Sequence, residues 1–296
     1  MNVVIVGSAR GQLASALLAC CPSWASAHLL GRPALDLSAP GSMLQILEGH
    51  EPEVIINAAA YTDVQGAQND PSAAYAINRD GVAALAQAAN QLRARLVHLS
   101  TDYVFSGKHG MPYRVTDRPA PLNAYGRSKL TGEWAVERIL GADAWIVRTA
   151  WLYAAGKNNF VTKVLDRMHA GEMVRVVCDQ VGTPTWAGGL AAAIWSGISR
   201  RLGGIDHWTD AGVASWYDFA QAIQEEALAA GLLHKPVDLL PVLTAQSPLS
   251  TPRPSFSVLD KSKTWERLGE VAHHWRVQLR HMLQHTTPGQ ALPPQP

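Results

Sequence analysis

A tyrosine and a lysine four residues apart are the side chains whose spacing most directly suggests acid–base chemistry. Tyr125 and Lys129 begin and end the stretch Tyr-Gly-Arg-Ser-Lys, and side chains at i and i+4 share one face of a helix. A free phenol has a pKa of about 10 and exchanges protons poorly at neutral pH. A nearby cation favours the phenolate and lowers that pKa, as general acid–base catalysis requires. The spacing predicts a catalytic pair, although chance also places such pairs on solvated helix faces.

A hydroxyl and a carboxylate precede this pair in the chain. Ser100–Asp102 lie at the end of the apolar run Arg95–Ser100, which has the pattern of a buried strand. Because ligands of open parallel sheets bind outside the carboxyl ends of the strands, we expect the Thr101 hydroxyl to face a crevice. Asn123 is a suitable N-cap for the helix that carries Tyr125. Reduction of a ketone needs a donor that polarises its oxygen and an acid that protonates it, and Thr101 and Tyr125 would supply them.

The elements that must position these side chains alternate along the first half of the chain. Short apolar runs, as in buried parallel strands, are separated by longer stretches rich in Ala and Leu. This alternation predicts an α/β fold, a Rossmann-type doubly wound parallel sheet with right-handed crossovers. The predicted strands are Val3–Val6, Glu53–Asn57, Arg95–Ser100 and Ala144–Thr149, and the predicted helices are Gly11–Cys20, Pro71–Gln91 and Asn123–Leu140.

After Trp151 the pattern becomes less regular, which predicts a smaller C-terminal substrate domain that caps the sheet. Helices are expected at 160–170, 186–201 and 215–230, a strand at 204–208 returns to the sheet, and 244–254 is a proline-rich loop. We place the dinucleotide-binding domain at 1–150 plus about 172–210, the substrate domain at 151–171 plus about 211–286, and a frayed tail at 287–296. Ligand should lie between the two domains.

Composition excludes several classes of protein. The 296 residues are 47% hydrophobic, enough for one large core or for two domains that share a cleft. The formal net charge of +1, without a block of like charges, argues against a nucleic-acid partner. No apolar run reaches the roughly 18 residues of a membrane span, and the N-terminus lacks the features of a signal peptide. We expect a soluble, cytoplasmic protein that binds a small molecule, without a membrane partner.

No metal site is predicted. Cys20, Cys21 and Cys178 are too few and too unevenly spaced for a disulfide framework or a zinc site. His281 and His285 have a spacing that can bind zinc, but no acid occupies the position that a metalloprotease motif requires. These histidines are interpreted as structural or solvated.

A glycine-rich turn joins the first strand to the first helix. Glycines at such a turn let a pyrophosphate approach the helix N-terminus, where unpaired N–H groups point at it. The spacing differs from G-x-G-x-x-G, so the position after an N-terminal strand is the main argument for a dinucleotide. Small side chains at the end of the third strand leave room for the cofactor, although close helix–sheet packing explains them equally well. The candidate residues are Gly7, Arg10, Gly11, Gln12 and Leu13 in the turn, Ala58, Ala59 and Ala60 after the third strand, and Ser100 after the fourth.

The end of the second strand predicts which dinucleotide binds. An acidic residue there would hold the ribose 2′-hydroxyl of NAD, and an arginine would accommodate the 2′-phosphate of NADP. The chain has Arg32 there and no acid until Asp36, and Arg10 could also reach that phosphate. NADPH is therefore favoured, with NADH as the alternative because Arg32 could simply be solvated. Asp36 and Leu37 are expected beside the adenine.

The hydroxyl and Tyr-x-x-x-Lys constellation resembles that of the extended short-chain dehydrogenase/reductases. Within them, the chain is similar to the dTDP-4-dehydrorhamnose reductase family, and the similar blocks run from Val3 to about His285. They include Gly11–Leu13, Asn57–Thr62, Ser100–Phe105, Pro121–Glu133, Arg148–Tyr153, Asn158–Phe160, Asp179–Thr185 and Arg253–Pro254.

The resemblance implies roles for residues and an activity. Tyr125 would be the proton donor, Lys129 would hold the nicotinamide ribose and lower the tyrosine pKa, and Thr101 would hydrogen-bond the C4 carbonyl. The contacts to the sugar nucleotide would come from Thr101, Asp102, Trp151, Asn158, Asn159 and Arg253. The implied activity is the NADPH-dependent reduction of the C4 ketone of dTDP-4-dehydro-L-rhamnose to dTDP-L-rhamnose. The oligomeric state is left open, and a homodimer is possible.

Departures from the family pattern leave other interpretations open. One residue is inserted between Gly7 and Gly11, and Ala14 replaces the last glycine of the family's loop. Ala16 stands where some members carry a magnesium-binding glutamate, so no metal is implied. A dehydratase or epimerase of the same superfamily is one alternative, disfavoured because Tyr103 stands where dehydratases usually place Glu. A non-catalytic regulatory subunit is another, since the β subunit of methionine adenosyltransferase resembles the same family.

Overall fold

Parallel strands form the centre of the protein, as the alternating pattern predicts. The computed structural model describes residues 1–247 and 250–285. Its strands are β1 (Asn2–Val6), β2 (Ser26–Leu30), β3 (Val54–Asn57), β4 (Arg95–Thr101), β5 (Ala144–Thr149), β6 (Leu152–Tyr153), β7 (Val174–Val177), β8 (Val181–Gly182), β9 (Thr185–Trp186), β10 (Gly204–His207), β11 (Ala214–Ser215) and β12 (Leu239–Val242). Six of them form one parallel sheet in the order β10-β5-β4-β3-β1-β2. The four predicted strands and the return of 204–208 to the sheet are confirmed.

Helices cover both faces of this sheet. They are α1 (Gln12–Ala19), α2 (Met43–Glu48), α3 (Val64–Asn69), α4 (Pro71–Tyr75), α5 (Val82–Leu92), α6 (Ala124–Leu140), α7 (Phe160–His169), α8 (Ala187–Ser199), α9 (Trp216–Ala229), α10 (Ser262–Leu268) and α11 (Trp275–Gln284). Side chains of β1 alternate between two cores: Val3 and Ile5 pack with α1 and α8, and Val4 and Val6 pack with α2, α5 and α6. Burial on both faces explains why the strand sequences are apolar throughout.

The prediction of one continuous helix over Pro71–Gln91 is wrong in detail. A π-helical turn, Ala76–Gly81, separates α4 from α5. The turn presents Asn78, whose side chain accepts a hydrogen bond from Tyr61 N (2.9 Å) and donates one to Ser128 Oγ (3.0 Å). A widened turn keeps the apolar face of the helix, so hydrophobic periodicity alone does not reveal it.

The order of the strands creates a crevice at the carboxyl edge of the sheet. The chain passes from β1 to its neighbour β2 on one side and then to β3 on the other. Helices that follow β1 and β3 therefore lie on opposite faces, and a gap opens between them. The glycine turn, the alanines after β3 and the Ser100–Asp102 segment all lie at this edge.

The second half of the chain has a core of its own. Helices α7, α9 and α11 enclose it, and Val161, Phe219 and Leu279 are fully buried there. Strand β7 pairs with β12 and contributes Val174 and Val176 to the same core. The predicted division into two domains stays a prediction, and its tail at 287–296 lies outside the described residues. Within 1–247 and 250–285, no helix combines the length and apolar character needed to cross a membrane.

Candidate active site

The start of α6 sets the position of the tyrosine. Asn123 is the N-cap, as predicted, and its side chain accepts a hydrogen bond from Gly126 N at 2.8 Å. Its amide also donates to Pro252 O at 2.9 Å, which ties the helix start to the second half of the chain. A Cβ on Gly126 would lie 2.2 Å from Tyr103 O, so only glycine permits this approach to the turn after β4. The approach brings Tyr125 beside Thr101.

Three side chains with complementary chemistry line one cavity. Thr101, Tyr125 and Lys129 border a cavity of about 590 Å³ that also contains the glycine turn. This volume lies within the range of cofactor and small-molecule sites. Thr101 Oγ1 donates to Asp102 Oδ1 at 3.1 Å and accepts from Tyr103 N at 3.1 Å. The predicted hydroxyl donor, phenol and ammonium therefore come together at the strand ends.

The electrostatics of the phenol differ from the expectation. Burial raises the pKa of Tyr125 above its ordinary value, a hydrogen bond with Thr101 opposes the rise, and the Asp102 charge adds to it. The sequence predicts a pKa lowered by Lys129, but removal from water has the larger effect because it disfavours the charged phenolate. The Lys129 ammonium donates to Leu99 O at 2.6 Å. Tyr125 is therefore a protonated acid at neutral pH.

Asp102 is a buried carboxyl at the same edge. It is 2% exposed, and its Oδ2 has no hydrogen-bond partner among the described residues. Burial raises its pKa to about 7, and hydrogen bonds with Ser257 and Thr101 oppose the rise. A carboxyl with this pKa changes its protonation state near neutral pH. A new hydrogen bond from a neighbour would shift that pKa.

The longer glycine turn closes on itself beside the cavity. Gly11 N donates to Ser8 O at 2.7 Å, and Arg10 N donates to Ser8 Oγ at 3.1 Å. Ser15 Oγ donates to Ala9 O at 2.7 Å, which ties the turn to α1. The first turn of α1 has no side-chain cap, so its N–H groups remain available to a ligand.

The cavity surface fits a dinucleotide with phosphate groups. Besides the uncapped helix start, its lining includes four basic side chains and several small ones, and small side chains permit the close approach of a cofactor. The predicted cofactor residues that line it are Gly7, Arg10, Gly11, Gln12, Leu13, Arg32, Asp36, Leu37, Ala58, Ala59, Ala60, Ser100, Tyr125 and Lys129. Asp36 accepts hydrogen bonds from Ser38 N and Oγ, which lower its pKa, with a smaller contribution from the Arg32 charge. The described residues contain no group of three or more His, Cys, Asp or Glu side chains arranged to hold a metal ion.

A tryptophan that stacks on a second tryptophan forms part of the cavity wall. Trp151 lines the cavity and stacks on Trp216, with ring centroids 3.5 Å apart and planes 6° from parallel. The backbone of Trp151 has a φ of 46°, an unusual conformation for a bulky residue. A Cβ on Gly182 would lie 2.6 Å from the Trp151 ring, so the absence of a side chain there makes room for the indole. Strained backbone held by close packing is typical of functional sites.

The family was identified by comparison with known proteins. The family described as the RmlD substrate binding domain matches residues 1–287. The chain belongs to the RmlD substrate binding domain family. A dTDP-4-dehydrorhamnose reductase of Burkholderia thailandensis is 37% identical over 287 residues, which cover 93% of this chain and 96% of that protein. One of Sinorhizobium fredii is 35% identical, covering 96% of this chain and 97% of that protein.

A solved member of the RmlD family has the same fold. The crystal structure of dTDP-4-dehydrorhamnose reductase from Bacillus anthracis, in complex with NADP, matches with a TM-score of 0.88 at 32% identity. The match covers 95% of this chain and 98% of that one. The Rossmann-type α/β fold and the family resemblance are both confirmed.

Not every predicted substrate residue of this RmlD family member borders the cavity. Asp102, Trp151 and Asn158 line it, whereas Asn159 and Arg253 do not. Asn159 caps α7, and its amide donates to Ala154 O at 2.7 Å. Burial raises the pKa of the Tyr103 phenol to about 12, and the nearby Arg253 charge opposes the rise. The Nε of Arg253 is buried without a hydrogen-bond partner among the described residues. Substrate contacts by these residues stay predictions.

Sequence reasoning missed several residues of the cavity in this RmlD family member. Lys157 is 8% exposed and donates to Ala9 O at 3.3 Å, so it places a positive charge against the glycine turn. A Cβ on Gly31 would lie 1.9 Å from Gly7 O, so this glycine lets β2 end beside the turn. The position of Gly31 beside Arg32 was a usable signal, but nothing in the sequence connects Lys157 with the turn. The other missed lining residues include Ser8, Leu35, Thr62, Ile77, Leu99, Thr149, Ala150 and Leu152.

Proposed function

We propose that this protein catalyses the NADPH-dependent reduction of the C4 ketone of dTDP-4-dehydro-L-rhamnose, which yields dTDP-L-rhamnose. The observation that carries the proposal is the convergence of Thr101, Tyr125 and Lys129 on the cavity of the glycine turn, in a member of the RmlD family. Relatives named for this reduction align over nearly the whole chain. A homodimer and a cytoplasmic location stay predictions.

The cofactor is held by the residues of the cavity edge. The first turn of α1 and the backbone of the glycine turn receive the pyrophosphate, and Arg32 pairs with the 2′-phosphate. Asp36 and Leu37 flank the adenine, and Ala58–Ala60 leave room for the cofactor against the sheet. The Lys129 ammonium hydrogen-bonds the nicotinamide ribose. When bound, NADPH supplies a hydride to C4 of the sugar.

Side chains of this protein deliver the proton and orient the ketone. Tyr125 Oη donates its proton to the C4 oxygen, and its raised pKa keeps it protonated until the alkoxide develops. The Thr101 hydroxyl, which donates to Asp102 in this structure, rotates to donate to the C4 oxygen and polarises the ketone. Asp102 and the Trp151 face contact the sugar nucleotide, and Asn158, Asn159 and Arg253 lie towards the sugar and diphosphate. An aromatic face suits a deoxysugar or a base, and an arginine suits a diphosphate.

The test of this function is turnover. The wild type should oxidise NADPH when dTDP-4-dehydro-L-rhamnose is added, and Tyr125→Phe should reduce kcat by about 100-fold or more, because general acids contribute roughly 10²–10⁴-fold. The variant should still bind NADPH, as fluorescence can measure, because it loses one hydroxyl and keeps the other predicted cofactor residues. Tyr217→Phe is the matched control, since that phenol lies on α9 and accepts a hydrogen bond from Gln221.

Three results would overturn the proposal. A wild type that binds NADPH without turning over the ketone would favour the regulatory-subunit alternative. Undiminished turnover by Tyr125→Phe would remove the tyrosine from the mechanism. Conversion of a nucleotide sugar without net NADPH consumption would indicate the dehydratase or epimerase alternative instead.

A further inference from the structure

A third ionisable residue follows Tyr125 and Lys129 on the same face of α6. Tyr125, Lys129 and Glu133 follow at intervals of four, so their side chains share one face of the helix. Lys129 is 2% exposed and Glu133 is fully buried. Glutamate is almost never fully buried unless it is paired, so this position needs a physical reason.

The side chains of Arg148 and Ser100 hold the Glu133 carboxylate. Arg148 on β5 donates to it through Nε (3.0 Å to Oε1) and Nη2 (2.6 Å to Oε2), a bidentate charge-assisted pair. Ser100 Oγ at the end of β4 also donates to Oε1. The Arg148 guanidinium lies 5.2 Å from the centroid of the Phe105 ring, which holds it from the other side. Glu133 therefore presents a fixed negative charge behind the cavity wall that Ser100 forms.

The charge of Lys129 depends on its neighbours. Burial lowers the pKa of Lys129 to about 8, and the Glu133 charge opposes that change. From β4, His98 faces the ammonium as a neutral ring, because burial and the Lys129 charge hold its pKa well below the ordinary range. From β5, Arg148 turns its guanidinium to Glu133 in an ion pair, and of the two charges Glu133 is the one that acts on Lys129. On α6 itself the remaining titratable neighbour is the protonated phenol of Tyr125.

We propose that Glu133 is a positioning residue that keeps Lys129 charged and therefore able to bind the cofactor. The proposal rests on the function proposed above, in which Lys129 holds the nicotinamide ribose. Glu133 itself does not border the cavity, so it acts through Lys129 and through Ser100. Its ion pair with Arg148 fixes the carboxylate on the helix face that carries Lys129.

The direction of the pH effect follows from these contacts. A lysine whose pKa is lowered loses its charge as the pH rises through that lowered value. Removing the Glu133 charge lowers the pKa of Lys129 further, so the charge is lost at a lower pH. NADPH affinity should then decline at a lower pH in the variant than in the wild type.

The experiment compares Glu133→Gln with Glu137→Gln. Glu137 lies one turn further along α6 and is exposed, so its variant removes the same charge from the same helix. NMR of ¹³C-labelled lysine side chains, with Lys129→Arg for assignment, follows the Lys129 titration in the cofactor-free protein. We expect the midpoint to fall by about one pH unit in Glu133→Gln, as for loss of a nearby opposite charge, and to stay unchanged in Glu137→Gln. An unchanged midpoint in Glu133→Gln would overturn the proposal.

Two further measurements keep the result interpretable. If circular dichroism shows that Glu133→Gln does not fold, the double variant with Arg148→Met removes both charges, a replacement that buried ion pairs often tolerate. The Lys129 midpoint should fall in that protein too, and an unchanged midpoint would again contradict the proposal. The pH dependence of NADPH binding by fluorescence then tests whether affinity follows the midpoint. Because the titration needs no turnover, an inactive wild type would refute the reductase function without deciding the role of Glu133.

Discussion

At the scale of residues, the environment of each group determines its chemistry more than its spacing does. Tyr125 and Lys129 are a recognisable pair in sequence, yet burial raises the pKa of the phenol and lowers that of the ammonium. A reductase gains from the raised pKa of the phenol, because the reaction consumes a proton and a protonated phenol can donate one. Asp102 follows the same rule, because burial raises the pKa of its carboxyl to about 7.

Cofactor preference is a prediction at this scale. Arg32→Ala should raise the NADPH KM by roughly 10-fold, since loss of one charge-assisted hydrogen bond costs about 1.5–3 kcal/mol. The NADH KM should change by less than about twofold, because NADH lacks the 2′-phosphate. Steady-state kinetics with both cofactors measure the ratio. Equal effects on the two cofactors would show that Arg32 does not contact that phosphate.

At the scale of elements, close backbone approaches place the side chains. Helix α6 meets the turn after β4 at Gly126 and meets the π-helical turn at Gly132, where a Cβ would lie 2.1 Å from Asn78 O. The strands, the main helices and the N-cap at Asn123 were predictable, because apolar periodicity and capping are local properties of a sequence. These contacts were not, because they join segments that are distant in the chain.

The close contact between the start of α6 and the turn after β4 can be tested with Gly126→Ala. The added methyl group would collide with Tyr103 O, so the helix start must shift and carry Tyr125 away from Thr101. We expect a loss of about 1–3 kcal/mol in the free energy of unfolding and a fall in kcat of at least about 10-fold. Urea denaturation and turnover assays measure the two effects. Gly41→Ala is the control, because its Cβ would meet no atom within 4 Å, and wild-type kcat in Gly126→Ala would contradict this account.

At the scale of the whole molecule, the second half of the chain is attached to the cofactor site itself. Gln12 at the start of α1 donates to Leu152 O at 3.3 Å and accepts from Asn159 Nδ2 at 3.0 Å. Lys157 reaches Ala9 O in the glycine turn. A cofactor bound at this turn touches both halves, so its binding should stabilise the molecule as a unit.

Thermal unfolding tests this coupling. NADPH at about 100 times its Kd should stabilise the protein by about 2.7 kcal/mol, which corresponds to a rise in Tm of several degrees for a chain of this size. Differential scanning fluorimetry with and without NADPH measures the shift, and the Arg32→Ala variant at the same NADPH concentration should show a smaller one. No shift at saturating NADPH would contradict a cofactor site in this cavity.

The sequence by itself determined the class of fold and the main strands of the sheet, and it singled out Tyr125 as the candidate acid, because these depend on local periodicity and on motifs that are continuous in the chain. Most residues of the cavity could also be predicted, since the ends of parallel strands meet at one edge of the sheet. Only the tertiary structure decided the protonation of Tyr125, the capping role of Asn159 and the placement of Lys157 and Glu133. Each of these features depends on burial or on contacts between distant segments. Burial and such contacts cannot be predicted from the spacing of residues along one segment.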